Sequence, residues 1–390
     1  MRTVRAASLE GKRALVRVDF NVPLTEDLKV ADDRRIVEAL PTLRYLREAG
    51  ARPVLMSHLG RPDGAPNPKL SLKPVAQRLG QLLQAHVTLA PAPVGPSAEA
   101  TVREARPTDL VLLENLRFDP GEEANDSAFA QGLARMGDLF VEEAFGTVHR
   151  AHASTVGVAK LLPAYAGFLV EKEVQELTRL TANPERPFVA LLGGAKVKDK
   201  LPLLRRFRAK ADTLLLGGAM AFPFLQELGG KLGGQPPEPG LEKEVRAFLD
   251  QEAEAGATVR LPIDFLVQDA RDGRVLEAEA MAIPEHCRAL DIGPRTRALF
   301  RQHLRHSRTV FFNGPMGKIE DPRFATGTRE LLASLKEVGG VHISAGGDSA
   351  RALADLGVEG SFTYISTGGG AALEFIEGRE LPGLAVLPKE

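Results

Sequence analysis

The stretch Leu191-Leu192-Gly193-Gly194-Ala195-Lys196-Val197-Lys198-Asp199-Lys200 decides how the chain folds. It closes the apolar run Pro187-Phe188-Val189-Ala190-Leu191-Leu192, and a run of that kind bounded by proline and glycine suits a buried strand. The glycine pair predicts a sharp turn with bared amides. The residues after it predict a helix carrying Lys196 and Lys200 four apart on one face. A strand, a glycine turn and a helix start with lysines receive an anion through dipole and charge together. The pattern G-x-x-x-x-G-K-[ST] is absent here and elsewhere, so this is not a Walker A loop. An ordinary turn with two solvated lysines explains these residues equally well, and the neighbouring segments must decide.

Outward from that stretch, strands and helices alternate. Arg13 to Val18 ends in Asp19-Phe20-Asn21-Val22-Pro23, and Asp32-Asp33 caps a helix from about Arg34 to Ala49 closed by Gly50. Pro53 to Met56 is followed by Ser57-His58-Leu59-Gly60-Arg61-Pro62. Leu110 to Leu113 opens onto Glu114-Asn115-Leu116-Arg117-Phe118, and Leu139 to Val141 leads into Glu142-Glu143 and on to His149-Arg150. The second half repeats the plan with strands at Phe188–Leu192, Thr213–Leu216, near Ala257–Leu261, Thr309–Phe312 and Val341–Ser344. Such alternation predicts parallel sheets with helices on both faces. The charge-patterned helix Glu171–Ala182, ended by Asn183-Pro184, reads as a connection between two domains. The expected fold is therefore α/β, two Rossmann-like domains joined by a connecting helix and hinge. Residues 1–170 form the first, 171–185 the connection and 186–377 the second, from which the chain leads out as a tail.

Composition limits the function classes. At 390 residues the chain is too long for one ordinary core. Fifty Lys and Arg against 51 Asp and Glu leave a net charge of -1, which gives no global basic field for nucleic acid or a membrane surface. The first 80 residues are nevertheless locally basic. A single cysteine, Cys287, excludes an intrachain disulfide framework and is read as an idle thiol in a loop. With no apolar leader and no long apolar run, a soluble cytoplasmic protein is expected.

Polar residues gather at or near the predicted strand ends and helix starts. In the first half these are Asp19, Asn21, Arg35, His58, Arg61, Arg117 and Arg150. Guanidinium forks bind carboxylate and phosphate oxygens bidentately, so the group suits a small phosphorylated acid. Each arginine alone is better explained by a solvated or salt-bridged surface position, and the joint placement at one sheet edge is what speaks for a site. In the second half, Gly346-Gly347-Asp348-Ser349 offers helix-start amides, a hydroxyl and a carboxylate able to hold magnesium beside a phosphate, or simply a helix cap. Gly217-Gly218 and Gly368-Gly369-Gly370 admit a flat ring, or are plain turns.

In this order the segments resemble the phosphoglycerate kinase family over essentially the whole chain. The resemblance rests on Val16-Arg17-Val18-Asp19-Phe20-Asn21-Val22-Pro23, Ser57-His58-Leu59-Gly60-Arg61-Pro62, Leu113 to Phe118, Ala144-Phe145-Gly146 with His149 to Ser154, Gly193 to Val197, Leu290 to Pro294, Asn313-Gly314-Pro315-Met316-Gly317, Gly346 to Ser349 and Ser366 to Gly370. It implies reversible transfer of the acyl phosphate of 1,3-bisphosphoglycerate to Mg-ADP, by domain closure and charge stabilisation without a covalent intermediate. It implies a glycerate site of Asp19, Asn21, Arg35, His58, Arg61, Arg117 and Arg150 in the first domain, onto which the tail at 378–390 crosses back. It implies a nucleotide site of Lys196, Lys200, Gly217, Gly218, Asn313, Pro315, Glu320, Gly346, Gly347, Asp348 and Ser349 in the second. Asp348 is expected to face magnesium, and Arg35, Lys200, Gly346 and Gly347 the transferred group. A monomer acting on small molecules, with neither nucleic acid nor membrane as partner, is the corresponding expectation. The chain departs from the family pattern at Glu142-Glu143, Lys198, Phe312, Lys318-Ile319 and Ala345. An acyl-phosphate kinase for another small acid and a non-catalytic binding protein are the alternatives.

Overall fold

The computed structural model describes residues 1–236, 238–250 and 256–389. They divide into two compact units, Met1–Gln175 with Arg379–Glu390, and Glu176–Gly378.

The first unit is built on six parallel strands: β1 (Arg13–Arg17), β2 (Arg52–Met56), β3 (Val87–Leu89), β4 (Leu110–Leu112), β5 (Leu139–Glu142) and β6 (Ala164–Ala166), ordered β3-β4-β2-β1-β5-β6. The order reverses between β1 and β5, where Arg17 stands in register with Glu142. In open parallel sheets that switch point, at the carboxyl ends of the strands, is where ligands bind. The helix Arg34–Glu48 buries Ile36, Leu40, Leu43 and Leu46 against the sheet, as its spacing predicts. Its start differs in detail from the expected cap. Asp32 accepts from the amide of Arg34, while Asp33 is drawn away to the guanidinium of Arg78 at 2.7 Å, an ion pair that wins over the cap.

The second unit repeats the plan. Its strands are β7 (Phe188–Leu192), β8 (Thr213–Leu216), β9 (Lys231–Leu232), β10 (Thr258–Arg260), β11 (Asp264–Asp269), β12 (Val275–Glu279), β13 (Ala282–Ile283), β14 (Cys287–Ile292), β15 (Thr309–Asn313), β16 (Val341–Ser344) and β17 (Tyr364–Ile365). The main sheet is parallel with order β10-β8-β7-β15-β16-β17, so its switch point falls between β7 and β15, where Leu192 pairs with Asn313. Leu191, Leu215, Val310 and Phe312 lie in its core. The sequence reading did not foresee the small antiparallel sheet β12-β11-β14 or the pair β9 and β13. Their strands alternate weakly, because β12 is exposed along most of its length.

Three further expectations are corrected. No helix carries Lys196 and Lys200 together: a 3-10 turn occupies Lys198–Lys200, and the helix begins at Leu201 with Pro202 in its first turn. Proline lacks the amide that a longer helix would need and disfavours helical geometry just before it. Cys287 lies not in a loop but at the first residue of β14, buried. The long helix expected from Glu171 starts earlier, at Phe168, where Thr42 Oγ1 and the carboxyl of Glu143 accept its first amides.

Candidate active site

In the first unit Asp19 and Asn21 follow β1, His58 follows β2, Arg117 follows β4 and Arg150 follows β5. His58 is their meeting point. It is buried, and its pKa is held well below the usual histidine range, first by burial and then by the guanidiniums of Arg17, Arg117, Arg35 and Arg150. Four arginines therefore lie within electrostatic reach of one buried imidazole, and Arg17 is in contact with it at 3.2 Å. Arg117 shows the same crowding: burial lowers its pKa, Glu123 opposes the shift, and Arg150 and Arg17 add to it.

Only part of this charge is compensated. Arg35 pairs with Asp19 at 2.7 Å, and Arg117 with Glu123 at 3.0 Å. Arg150 donates to the ring of its neighbour His149 at 3.1 Å and forms no ion pair with a carboxylate among the described residues. The net field is positive at a switch point, which suits an oxyanion.

The loop Leu59–Gly60 is fixed by Asn21, Arg117 and Asn115. Asn21 Oδ1 accepts from the amide of Gly60 at 2.9 Å, and Arg117 donates to the Gly60 carbonyl at 2.9 Å. Buried Asn115 accepts from the amides of Leu59 and Arg117 and donates to the carbonyls of Leu59 and Leu70. In the motif Glu114-Asn115-Leu116-Arg117, the asparagine is thus a clamp that aims the arginine. Arg61 stands exposed, outside the set around His58. Arg17, which the sequence reading passed over, lies inside that set at 1% exposure. Its signal was available, since an arginine flanked by Val16 and Val18 in a buried strand demands a partner.

In the second unit three glycine-rich ends meet. Gly218 has φ +63°, and a Cβ there would stand 2.8 Å from the amide nitrogen of Gly194, so only glycine lets β7 and β8 end this close together. Lys200 Nζ donates to the carbonyls of Gly193 at 2.5 Å and Asn313 at 3.1 Å. Burial lowers its pKa to about 8, against the pull of Asp348 and Asp199, which places the exposed Asp348 within electrostatic reach. Asn313 donates to the carbonyl of Ala345 at 2.7 Å, while its buried Oδ1 has no partner. The hydroxyl of Ser349 accepts from the amide of Gly314 at 2.9 Å and ties the helix Gly347–Leu356 to β15.

Beside them opens a cavity of about 260 Å³ lined by Gly194, Gly218, Phe222, Phe265, Pro315, Met316 and Glu320 among others. Glycine backbone and apolar side chains suit a planar ring, with Glu320 and Lys318 at the rim. Phe222 and Phe265 were not foreseen, Phe265 because it arrives on the unexpected β11. Lys196 is exposed and lines a neighbouring cavity of about 410 Å³ with Glu238, whose carboxylate accepts from the amides of Val197 and Lys198. One group of metal-ligating side chains lies elsewhere, Asp269, His286 and Cys287, with ligand atoms within 4.8 Å of one another. The guanidinium of Arg271 already occupies it, 2.7 Å from both Asp269 and His286.

Comparison with known proteins agrees with this fold. Residues 4–379 match the family model described as phosphoglycerate kinase. Proteins named phosphoglycerate kinase from Chloroflexus aggregans and Rubrobacter xylanophilus are each 48% identical, the first over 99% of this chain and 98% of its own length, the second over 100% and 98%. The structure of phosphoglycerate kinase from Coxiella burnetii superposes with a TM-score of 0.89 at 35% identity, covering 99% of this chain and 98% of that one. The crystal structure from Pyrococcus horikoshii gives 0.84 at 31% identity, with the same coverage. With its length matched almost end to end, its two six-stranded parallel sheets shared and its sequence nearly half identical to named relatives, this chain belongs to the phosphoglycerate kinase family of phosphotransferases.

Proposed function

We propose that the first unit holds the phosphorylated three-carbon acid around His58 and that the second holds ADP or ATP at the glycine ends of β7, β8 and β15. The chain would then carry out its family's reversible reaction. The bond between phosphorus and the acyl oxygen of 1,3-bisphosphoglycerate breaks, and a terminal oxygen of ADP bonds to that phosphorus. The carboxylate of 3-phosphoglycerate leaves with the electron pair.

The observation that carries this reading is that Arg17, Arg35, Arg117 and Arg150 all lie within electrostatic reach of buried His58 at the carboxyl ends of the strands, while Arg150 pairs with no carboxylate among the described residues. Phosphoryl transfer needs placement and positive charge more than covalent help. Arg35, Asn21, Arg117 and Arg150 bind and orient the acid. Lys200 and the amides at Gly346 and Gly347 meet the phosphates of the nucleotide, at a helix start whose dipole favours anions. The exposed carboxylate of Asp348, in the first turn of that helix, fits a magnesium ion that also binds phosphate oxygens. When bound, magnesium neutralises phosphate charge. Glu320 and Pro315, at the cavity beside Gly218, take the ribose and base. No side chain serves as a nucleophile. The same reading has the chain act as a cytoplasmic monomer on small molecules, without nucleic acid.

The test is a coupled assay of ATP consumption with magnesium and 3-phosphoglycerate, run beside acetate and aspartate. Turnover with 3-phosphoglycerate alone is expected. Turnover with acetate or aspartate, or none with any acid, overturns the assignment.

A further inference from the structure

Arg17 lies beneath the basic cluster at 1% exposure, too deep to touch a ligand itself. Its guanidinium reaches three acceptors at once: Nη1 donates to the carbonyl of Val18 at 2.5 Å, Nε to Ser154 Oγ at 2.8 Å, and Nη2 lies 3.2 Å from His58 Nδ1. Guanidinium has donors only. Nδ1 of His58 must therefore present its lone pair, and in a neutral ring the hydrogen is then on Nε2. That nitrogen has no partner among the described residues. We infer that Arg17 is a positioning residue which fixes His58 as the Nε2–H tautomer, so that the ring offers one neutral N–H donor to the bound acid.

The direction of every bond supports this. Because Arg17 Nε donates to Ser154 Oγ, that hydroxyl must donate onward, and it does so to Glu122 Oε1 at 2.6 Å. Glu122 is fully buried, and its other oxygen accepts from the amide of Ser154 at 3.0 Å. Burial pushes its carboxyl upward, but hydrogen bonding from His152, the charge of Arg17 and the Ser154 hydroxyl together hold it below the usual range. The carboxylate is ionised and balances Arg17 through one hydroxyl. A lysine could not span these acceptors, because its ammonium is a point charge without a planar fork.

The same chain of bonds joins the loops of the cluster. Arg17 ends β1, His58 follows β2, Glu122 lies in the short helix after Arg117, and Ser154 lies four residues beyond Arg150. Thr155, next to Ser154, donates to the carbonyl of Arg150 at 3.0 Å. With the opposite tautomer His58 would turn a lone pair toward the acid's ionised carboxylate or phosphate oxygens, which are acceptors only, and would repel them.

The inference rests on the basic cluster as the acid site, but the tautomer can be read without any ligand. The experiment uses the full chain with ¹⁵N-labelled histidine and no ligand, with long-range ¹H–¹⁵N correlation spectra at neutral pH and His58 assigned through His58→Gln. A neutral ring with hydrogen on Nε2 is expected; hydrogen on Nδ1, or an imidazolium, overturns the proposal. Arg17→Lys and Arg17→Gln should mix the tautomers. They should raise KM for 3-phosphoglycerate by roughly tenfold or more, as for loss of one hydrogen bond to a charged group, with a smaller change in kcat and none in nucleotide affinity. A pure Nε2–H ring in both variants overturns the role of Arg17. His58→Gln places an amide nitrogen near Nε2, and His58→Asn places one near Nδ1. The glutamine variant should bind the acid more tightly than the asparagine one, and the reverse order sinks the proposal even if the Arg17 variants do not fold. An Nε2–H ring in a protein that binds no 3-phosphoglycerate leaves the positioning role standing and removes the acid assignment instead.

Discussion

Lys200 Nζ donates to the Gly193 carbonyl at 2.5 Å and so binds the end of β7, while a second bond to Asn313 reaches the end of β15. The ammonium is thus stored at the switch point, and its burial lowers the pKa from 10.5 to about 8. Since the folded value lies below the unfolded one, the unfolded chain binds more protons between about pH 8 and pH 10.5. The cost of holding this charge in the fold is present below pH 8 and relieved as pH rises. Measured against Lys200→Met, the wild type should gain stability from pH 8 to pH 10 by up to about 1.4 kcal/mol per pH unit. Urea denaturation of both proteins across that range checks it. A constant difference between them would mean an ordinary lysine.

Arg35 extends from the first turn of its helix to Asp19 at 2.7 Å, which keeps the guanidinium over the end of β1 with part of its fork uncommitted. As a preorganised donor aimed at charge that develops during transfer, it should matter more to turnover than to binding. Arg35→Ala is expected to lower kcat by roughly 10²–10³ with a smaller change in nucleotide KM, which steady-state kinetics with both substrates will show. Near-normal turnover removes Arg35 from the transfer step.

The limits of reading this chain from sequence follow from where the signals are local. Strand β7 was legible to the residue because proline and glycine punctuate an apolar run, and β16 likewise. The basic residues were legible as a set, since His58, Arg117 and Arg150 come after strands and Arg35 at a helix start, and the arginines lie within electrostatic reach of His58. What failed was geometry set by distant partners. Lys196 and Lys200 do not share a helix face, because Pro202 delays the helix until the chain has passed both. Asp33 does not cap its helix, because Arg78, 45 residues later, takes its carboxylate. Arg17 went unread because its partners Ser154 and Glu122 come from segments far along the chain.

Gly314 tests the packing of the nucleotide side. It has φ +87°, and a Cβ there would lie 2.5 Å from Lys200 Nζ and against the carbonyl of Gly193. Gly314→Ala therefore adds backbone strain and displaces the ammonium from both of its acceptors. A loss of about 2–4 kcal/mol in unfolding free energy is expected, with weakened nucleotide binding and unchanged affinity for 3-phosphoglycerate. Calorimetric melting and separate titrations of the two ligands decide it. A stable variant that binds nucleotide normally would show that the glycine is dispensable.

Glu142 stands in register with Arg17 at the switch point of the first sheet. Its Oε1 accepts from the amide of Ala144 at 2.9 Å, but its buried Oε2 has no partner. Burial raises the pKa to about 8; Arg17 and the Ala144 amide oppose this, and Glu122 and Asp19 add to it. At neutral pH the carboxyl is therefore largely protonated, which explains how it is tolerated beside Asp19 and Glu122. Here the folded value lies above the unfolded 4.5, so the folded chain binds more protons between them. The stabilisation is complete below about pH 4.5 and is lost as pH rises through about 8. Glu142→Gln has nearly the same shape with no proton to lose. It should match the wild type to within about 1 kcal/mol at pH 5 and exceed it by about 2 kcal/mol or more at pH 8.5. Urea denaturation at these two values measures the gap. If the glutamine variant is weaker by the same margin at both, Glu142 carries its charge inside the fold and Arg17 alone must neutralise it.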